Sequence, residues 1–428
     1  LVLKIGMAAG SYFTRGNHKH HVLIGKDTRL SGYTIEPALV SGFLTMGMNV
    51  YLTGPLPTPG VSALVKSMRC DIGIVISASH NSYEDNGIKI FGPDGIKLTD
   101  EAELTLENIM ENINSIKRID SKKLGRAERI EDAGGRYIEY LKSTFSNKLR
   151  LDGIKVVIDC ANGAAYKVAP KILWELGAEV IPINIEPDGT NVNKKCGSTY
   201  PANMIKSVIK NNADIGISLD GDADRCIFSD EKGELINGDQ IIALIAKKWN
   251  KINKLNNSLV IGTILSNEGL KIYLNKNNIS FIRTPVGDRY IFREMQNKNC
   301  NLGGEPSGHI ILGDSATTGD GIRTAIEVLS IMHEYKKPLS QISNVFTPLA
   351  QMTEDISLKN ISENKILLNS LDSELSNIYK KIKNKVRIVV RLSGTEHKLR
   401  VMVEANNKVL AKQTIKEAII IINKFINR

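Results

Sequence analysis

Apolar residues in this chain gather in short unbroken runs that end abruptly in polar turns. Val22–Gly25, Asp71-Ile72-Gly73-Ile74-Val75-Ile76, Val156–Asp159, Asp214-Ile215-Gly216-Ile217-Ser218-Leu219 and Leu259–Gly262 are the clearest. Runs of this length predict strands buried on both faces. Helices are expected from about Ile35, near Ala169–Leu176 and near Gly269–Asn275. A second strand follows each one: Asn49–Leu52, Glu179–Ile183 and Ser280–Ile282. Strand–helix–strand alternation predicts βαβ units and mostly parallel sheets. Three such units read as diverged copies of one α/β domain. At the N-terminus a helix is expected over Leu1–Ala9, so a longer parent chain is expected at that end. Thr99 is the expected N-cap of a helix Asp100–Asn114, whose first turn carries Asp100, Glu101 and Glu103. Past residue 345 the plan changes. Strands Val386–Arg391 and Lys398–Glu404 flank a loop, and a helix Lys408–Phe425 follows. The expected fold class is therefore α/β: three related α/β domains with mixed, largely parallel sheets, plus a smaller α+β C-terminal domain, around one central cleft. Boundaries are expected at 1–133, 134–236, 237–345 and 346–428.

Composition narrows the class. At 428 residues the chain is too long for one core, and 42% hydrophobic with 24% charged residues is ordinary for a globular protein. The longest apolar runs, such as Ile241–Ala246, fall far short of the ~20 residues that cross a bilayer. No membrane partner is expected. The net charge of +10 is scattered, without a basic stripe, and aromatics are only 5%, so no nucleic-acid partner is expected either. Cys70, Cys160, Cys196, Cys226 and Cys300 lie far apart, without metal-ligand spacing. An odd, dispersed set of thiols fits a reducing compartment, the cytoplasm.

Four loops carry candidate chemistry. Asp220-Gly221-Asp222-Ala223-Asp224-Arg225 follows one buried run. Three carboxylates this close repel one another, and a divalent cation relieves the repulsion. All-oxygen donors suit Mg²⁺ or Mn²⁺. The spacing nearly meets an EF-hand, with Glu231 at the twelfth position. However, Arg225 stands where that loop needs glycine, and the flanks predict strands. Ser77-Ala78-Ser79-His80-Asn81 follows the other buried run, with Lys89 further on. Alone, a serine at a strand end is a turn or cap residue. Opposite a metal site it is a candidate phosphoryl carrier, whose phosphate oxygen completes the ion's coordination. Ser79 lacks the Gly-x-Ser-x-Gly elbow of a hydrolase. Gly303–His309 offers Glu305 and Ser307 for sugar hydroxyls and His309 for proton transfer. Arg391-Leu392-Ser393-Gly394-Thr395, with Arg400 nearby, suits a phosphate dianion.

In content and order these loops resemble the α-D-phosphohexomutase family, over essentially the whole chain. The resemblance implies that phosphorylated Ser79 exchanges its phosphoryl group with a phosphosugar through a bisphosphorylated intermediate. It implies Mg²⁺ on Asp220, Asp222, Asp224 and the Ser79 phosphate. Sugar contacts are implied for Glu305 and Ser307, and phosphate contacts for Arg391, Ser393, Gly394, Thr395 and Arg400. His80, Lys89 and His309 are the candidates for proton transfer or charge stabilisation. The implied reaction interconverts glucosamine 6-phosphate and glucosamine 1-phosphate, which feeds UDP-N-acetylglucosamine and cell-wall synthesis. A homodimer is the expected assembly. Mannose or glucose phosphates are the alternative substrates, and a metal-binding module without catalysis is the alternative class. Ser82, Pro306 and His397 depart from the usual pattern, and the family's Gly-Thr-Asp-Gly-Ile-Arg-Gly segment is not in this chain.

Overall fold

The computed structural model describes residues 1–116, 119–146, 150–357, 386–392 and 398–426. Among these residues the strands form four sheets. The first contains β1 (His21–Lys26), β2 (Asn49–Pro55), β3 (Ile72–Ile76), β4 (Ile88–Phe91) and β5 (Ala127–Arg129), in the order β4-β3-β1-β2-β5. The second contains β6 (Lys155–Asp159), β7 (Glu179–Ile183), β8 (Ile215–Leu219), β9 (Cys226–Asp230) and β10 (Leu235–Ile236), in the order β10-β9-β8-β6-β7. The third contains β11 (Leu259–Thr263), β12 (Ser280–Thr284), β13 (Leu302–Gly304) and β14 (Ile310–Leu312), in the order β12-β11-β13-β14. The fourth is antiparallel and contains β15 (Ala350–Ser357), β16 (Val386–Leu392) and β17 (Lys398–Ala405), with β17 central.

One plan repeats in the first three sheets. The first strand pairs parallel with the second and the third, and the third pairs antiparallel with a fourth. The mixed, largely parallel arrangement of three related domains is thus present. Of the fourth strands, β9 is the strand expected after the aspartate loop, whereas β4 and β14 escape the sequence reading. Ile88–Phe91 alternates apolar residues with Lys89, and Ile310–Leu312 spans only three residues. In these three copies the candidate loop has the same address, the turn between the third and fourth strands: β3 to β4, β8 to β9, and β13 to β14. Crossovers leave the first and third strands in opposite directions, and ligands bind at such switch points.

β3 and β8 are buried along their whole length. Gly73 and Gly216 hold matching positions in them and let a helix lie close on the sheet. A Cβ on Gly73 would stand 2.4 Å from Val65 Cγ2, and one on Gly216 would stand 2.1 Å from Met204 Sδ. The N-terminal helix runs Val2–Phe13, longer than expected. Thr99 Oγ1 accepts from Ala102 N (3.3 Å), capping a helix Asp100–Glu111 that gives way to a 3₁₀ turn, Ile113–Ser115. All five cysteines are buried free thiols.

The largest hydrophobic cluster runs from Leu23 to Phe346 and joins the first three sheets. The fourth sheet and the helix Lys408–Ile426 share a separate core of Val386, Leu399, Val401, Val403, Ala411, Ile415 and Ile422 among others. A polar seam joins the two bodies. Arg387 donates from Nη1 to Ile264 O and from Nη2 to Ser266 O (2.8 Å each), and from Nε to the buried Glu404 (2.6 Å). Arg387→Ala would leave the Glu404 charge buried without its partner. We expect it to destabilise the C-terminal unit by roughly 3–5 kcal/mol. Calorimetry should then show that unit melting ahead of the rest. An unchanged melting profile would mean the seam contributes nothing.

Candidate active site

The turn after β8 brings Asp220, Asp222 and Asp224 together. One carboxylate oxygen from each lies within 4.8 Å of the others, and the residues are 0–3% exposed. At that separation each pair of charges repels by roughly 3–4 kcal/mol at an effective dielectric near 20. Local cations answer the charge. Lys89, on β4, donates from Nζ to Asp222 and to Asp224 Oδ2 (2.8 Å). Burial opposes the Lys89 charge, but the two carboxylates outweigh burial and raise its pKa. Arg225 Nε lies 3.8 Å from Asp224 Oδ1. The last proton belongs on Asp220. Burial and the neighbouring Asp224 and Asp222 push its pKa up to about 7. For Asp224, burial acts upward, but Lys89 and His309 hold it well below the usual carboxylate range. Asp222 Oδ1 and Asp224 Oδ1 are buried without a hydrogen-bond partner. Orphaned oxygens in an all-oxygen donor set fit a hard divalent cation. Glu231 turns away to Ser340, and strands flank the turn, so the EF-hand reading fails here as well.

Ser79 faces this cluster. Its Oγ donates to Asp220 Oδ2 (2.6 Å), and His80 Nδ1 lies 3.5 Å away. Burial, then the Arg225 charge, lowers His80 to about 4, so its ring is neutral at pH 7. Ser79 has φ +52°, a left-handed conformation that costs a non-glycine residue on the order of 1–3 kcal/mol. The surroundings hold it there. Arg29, 1% exposed, donates from Nη2 to Ser79 O (3.0 Å) and Asn81 O (2.9 Å), and from Nη1 to Ser82 O and Asp85 O. Asp27 fixes the guanidinium through Nε (2.7 Å) and also accepts from Ser77 Oγ (2.6 Å). From the second domain, Asn193 Nδ2 donates to the same two carbonyls, at 2.8 and 2.9 Å. Gly221 permits the close approach of the two loops, since a Cβ there would stand 2.6 Å from Ser79 O. Thr58, at the start of the helix Thr58–Ser67, donates from N to Asp222 O (2.9 Å) and from Oγ1 to Asp222 Oδ2.

The third loop meets the cluster from behind. His309 is buried between Asp224 and Asp288, with Nδ1 3.5 Å from Asp224 Oδ1 and Nε2 3.5 Å from Asp288 Oδ2. Its Nε2 also accepts from Gly319 N (2.9 Å). Glu305 accepts from Gly287 N (3.1 Å) and from Ser307 Oγ (3.1 Å), so the two sugar-loop candidates touch each other. On the fourth sheet Arg391 stands directly opposite Arg400 in register. Burial and the Arg400 charge lower Arg391, while Glu305 acts the other way. Two guanidiniums side by side favour an anion. Ser393, Gly394 and Thr395 lie outside the described residues.

Ser79, His80, Lys89 and the three aspartates are therefore brought into contact, and His309 joins them through Asp224. Glu305 and Ser307 stand on the turn between β13 and β14, and Arg391 near the end of β16. Arg29, Thr58 and Asn193 carry no signal in the sequence that ties them to this site, because each acts through a partner 50 or more positions away.

The raised pKa of Asp220 gives a pH dependence with a defined sign. A proton on Asp220 competes with the cation, so divalent-ion affinity should fall by up to about tenfold per pH unit below 7 and level off above it. Titration calorimetry with Mg²⁺ at pH 6, 7 and 8 checks this. A flat profile would remove Asp220 from the donor set.

Four domain descriptions of known proteins match this chain in order. They are phosphoglucomutase/phosphomannomutase alpha/beta/alpha domain I at residues 1–117, domain II at 135–233, domain III at 237–349 and the C-terminal domain at 352–420. The phosphoglucosamine mutase of Paramagnetospirillum magneticum is 50% identical over 416 residues, covering 97% of this chain and 92% of that protein. That of Parvibaculum lavamentivorans is 49% identical over 419 residues, with the same two coverages. Among solved structures, a phosphoglucomutase/phosphomannomutase family protein from Burkholderia thailandensis superposes with a TM-score of 0.83 at 22% identity. It covers 99% of this chain and 93% of its own. The Aspergillus fumigatus N-acetylphosphoglucosamine mutase in complex with GlcNAc-6P and magnesium gives 0.65 at 18%, covering 86% and 93%. These two structural likenesses concern the fold; with the domain matches and the identity of about one half to its curated relatives, the chain belongs to the phosphoglucomutase/phosphomannomutase family, the α-D-phosphohexomutases.

Proposed function

We propose that this phosphohexomutase interconverts glucosamine 6-phosphate and glucosamine 1-phosphate, with Ser79 as the phosphoryl carrier. The observation that carries the proposal is Ser79 Oγ, 2.6 Å from Asp220 within a buried triad of carboxylates. Support for the amino sugar comes from near full-length relatives of about 50% identity that bear the name phosphoglucosamine mutase.

In the forward direction the sugar's 1-hydroxyl oxygen attacks the phosphorus on Ser79. The P–Oγ bond breaks, a P–O1 bond forms, and the hydroxyl proton leaves for a base. The bisphosphorylated sugar turns over in the cleft. Ser79 Oγ then attacks the 6-phosphate, the bond from phosphorus to O6 breaks, and a proton returns to O6. Among the three proton-transfer candidates, geometry favours His80. It is neutral and 3.5 Å from Ser79 Oγ, whereas Lys89 is a cation tied to two carboxylates and His309 is buried behind Asp224. Asp220, Asp222 and Asp224 would hold Mg²⁺, which when bound neutralises charge on the transferring phosphoryl group. Glu305 and Ser307 would orient ring hydroxyls. Arg391, with Arg400, Ser393, Gly394 and Thr395, would hold the phosphate that is not reacting.

A coupled mutase assay across glucosamine, glucose and mannose phosphates, combined with intact-mass analysis, tests the proposal. Active protein should carry an adduct of about 80 Da. Ser79→Ala should lack it and lose turnover by orders of magnitude. We expect kcat/KM for glucosamine phosphate to exceed that for glucose phosphate by at least about tenfold, or roughly 1.4 kcal/mol. Normal turnover by Ser79→Ala would overturn the mechanism. A preference for glucose or mannose phosphate would overturn the substrate alone.

A further inference from the structure

A second set of metal-type donors lies at the far end of the first sheet. His18, His20 and Asp71 each offer one ligand atom, and the three atoms lie within 4.8 Å of one another. Asp71 Oδ1 is 2.6 Å from His18 Nε2 and 3.3 Å from His20 Nδ1. The two imidazole centroids are 4.1 Å apart. His20 is 6% exposed, Asp71 is half-buried and His18 is open to solvent.

The backbone accounts for the convergence. His18 and His20 lie two positions apart in the segment that leads into β1, and their rings meet there. Asp71 immediately precedes β3, the neighbour of β1, and its N–H donates to His21 O (2.9 Å). The strand length puts the group on the order of 20 Å from Ser79, at the opposite ends of β1 and β3.

The internal repeat separates what is structural here from what is added. Asp214 holds the equivalent position before β8, and its Oδ2 accepts from Lys155 N, the first residue of β6 (2.8 Å). Asp71 Oδ2 accepts in the same way from His21 N, the first residue of β1 (2.8 Å). Capping the first strand is therefore the shared task of both aspartates, and one oxygen performs it. The second copy has Asp152-Gly153-Ile154 ahead of its first strand and no histidine. The first copy alone sets two imidazoles on the remaining oxygen, which capping does not require.

We propose that His18 Nε2, His20 Nδ1 and Asp71 Oδ1 bind one divalent transition-metal ion of the zinc type, with water completing the coordination on the exposed His18 side. Two imidazole nitrogens and a carboxylate oxygen suit Zn²⁺, Cu²⁺ or Ni²⁺ and not Mg²⁺. The His21 N–H on Asp71 Oδ2 is the outer hydrogen bond that orients such a ligand. The ion would staple the segment after the helix Val2–Phe13 to the head of β3. Its role is stability and not turnover.

The test uses the full chain without an affinity tag, in saturating Mg²⁺, titrated with Zn²⁺ against a chelating indicator. Wild type should bind one tight equivalent and melt at a higher temperature when loaded. Loading with Cu²⁺ should give an electron-spin resonance spectrum with coupling to two nitrogens, a signature the all-oxygen triad cannot produce. His18→Gln sits at an exposed position and should fold. It should weaken Zn²⁺ more than the ~10–100-fold that loss of an outer partner costs. It should also lose one nitrogen coupling, abolish the melting shift and leave Mg²⁺-supported turnover unchanged. Absence of a tight Zn²⁺ equivalent in wild type, or equal Zn²⁺ affinity in His18→Gln, would overturn the proposal.

Discussion

Three carboxylates buried in one turn set the terms for the structure around them. Asp220, Asp222 and Asp224 are 0–3% exposed, and no single domain supplies enough charge and hydrogen bonding to hold them there. Lys89 and Thr58 reach in from the first domain, and His309 from the third. The cost of burying like charges is thus spread over three domains, and it ties them to one point. A continuous hydrophobic cluster from Leu23 to Phe346 supplies the matching apolar contact. The C-terminal unit, with its own core, stands apart from this arrangement and touches it through polar contacts at Arg387.

The repeat explains how three copies of one topology produce one site. Each copy presents the turn between its third and fourth strands, yet each turn bears different chemistry: a serine and a histidine, three aspartates, or a glutamate with a serine. The switch-point geometry favours ligands at all three. Close contact between the first two turns demands small residues and strain. Gly221 lies where a side chain would strike the Ser79 carbonyl, and Ser79 itself holds φ +52°. Arg29 and Asn193 converge on the Ser79 and Asn81 carbonyls and hold that conformation.

Features encoded within a few residues are legible in the sequence. The buried runs of β3 and β8, the spacing of the aspartates and the Ser79 loop follow from local patterns, and so does the Thr99 cap. The topological equivalence of the first three domains follows from the repeated strand–helix–strand order. Features that depend on tertiary contact are not legible. Nothing near Thr58 announces a carboxylate 164 positions away, and nothing near Arg29 announces the carbonyls it gathers. Lys89 is visible as a cation beside the serine loop, but only the antiparallel return of β4 aims it at Asp222 and Asp224. The short strands β4 and β14 are illegible because three apolar residues carry no period.

The central claim is that one divalent cation joins the aspartate triad to the phosphate on Ser79. Anomalous diffraction from crystals of the phosphorylated protein soaked in Mn²⁺ measures this directly. The account predicts a single strong peak about 2–2.3 Å from one oxygen of each of Asp220, Asp222 and Asp224 and from a phosphate oxygen on Ser79. A peak elsewhere, with the three carboxylates paired only to Lys89 and Arg225, would contradict it.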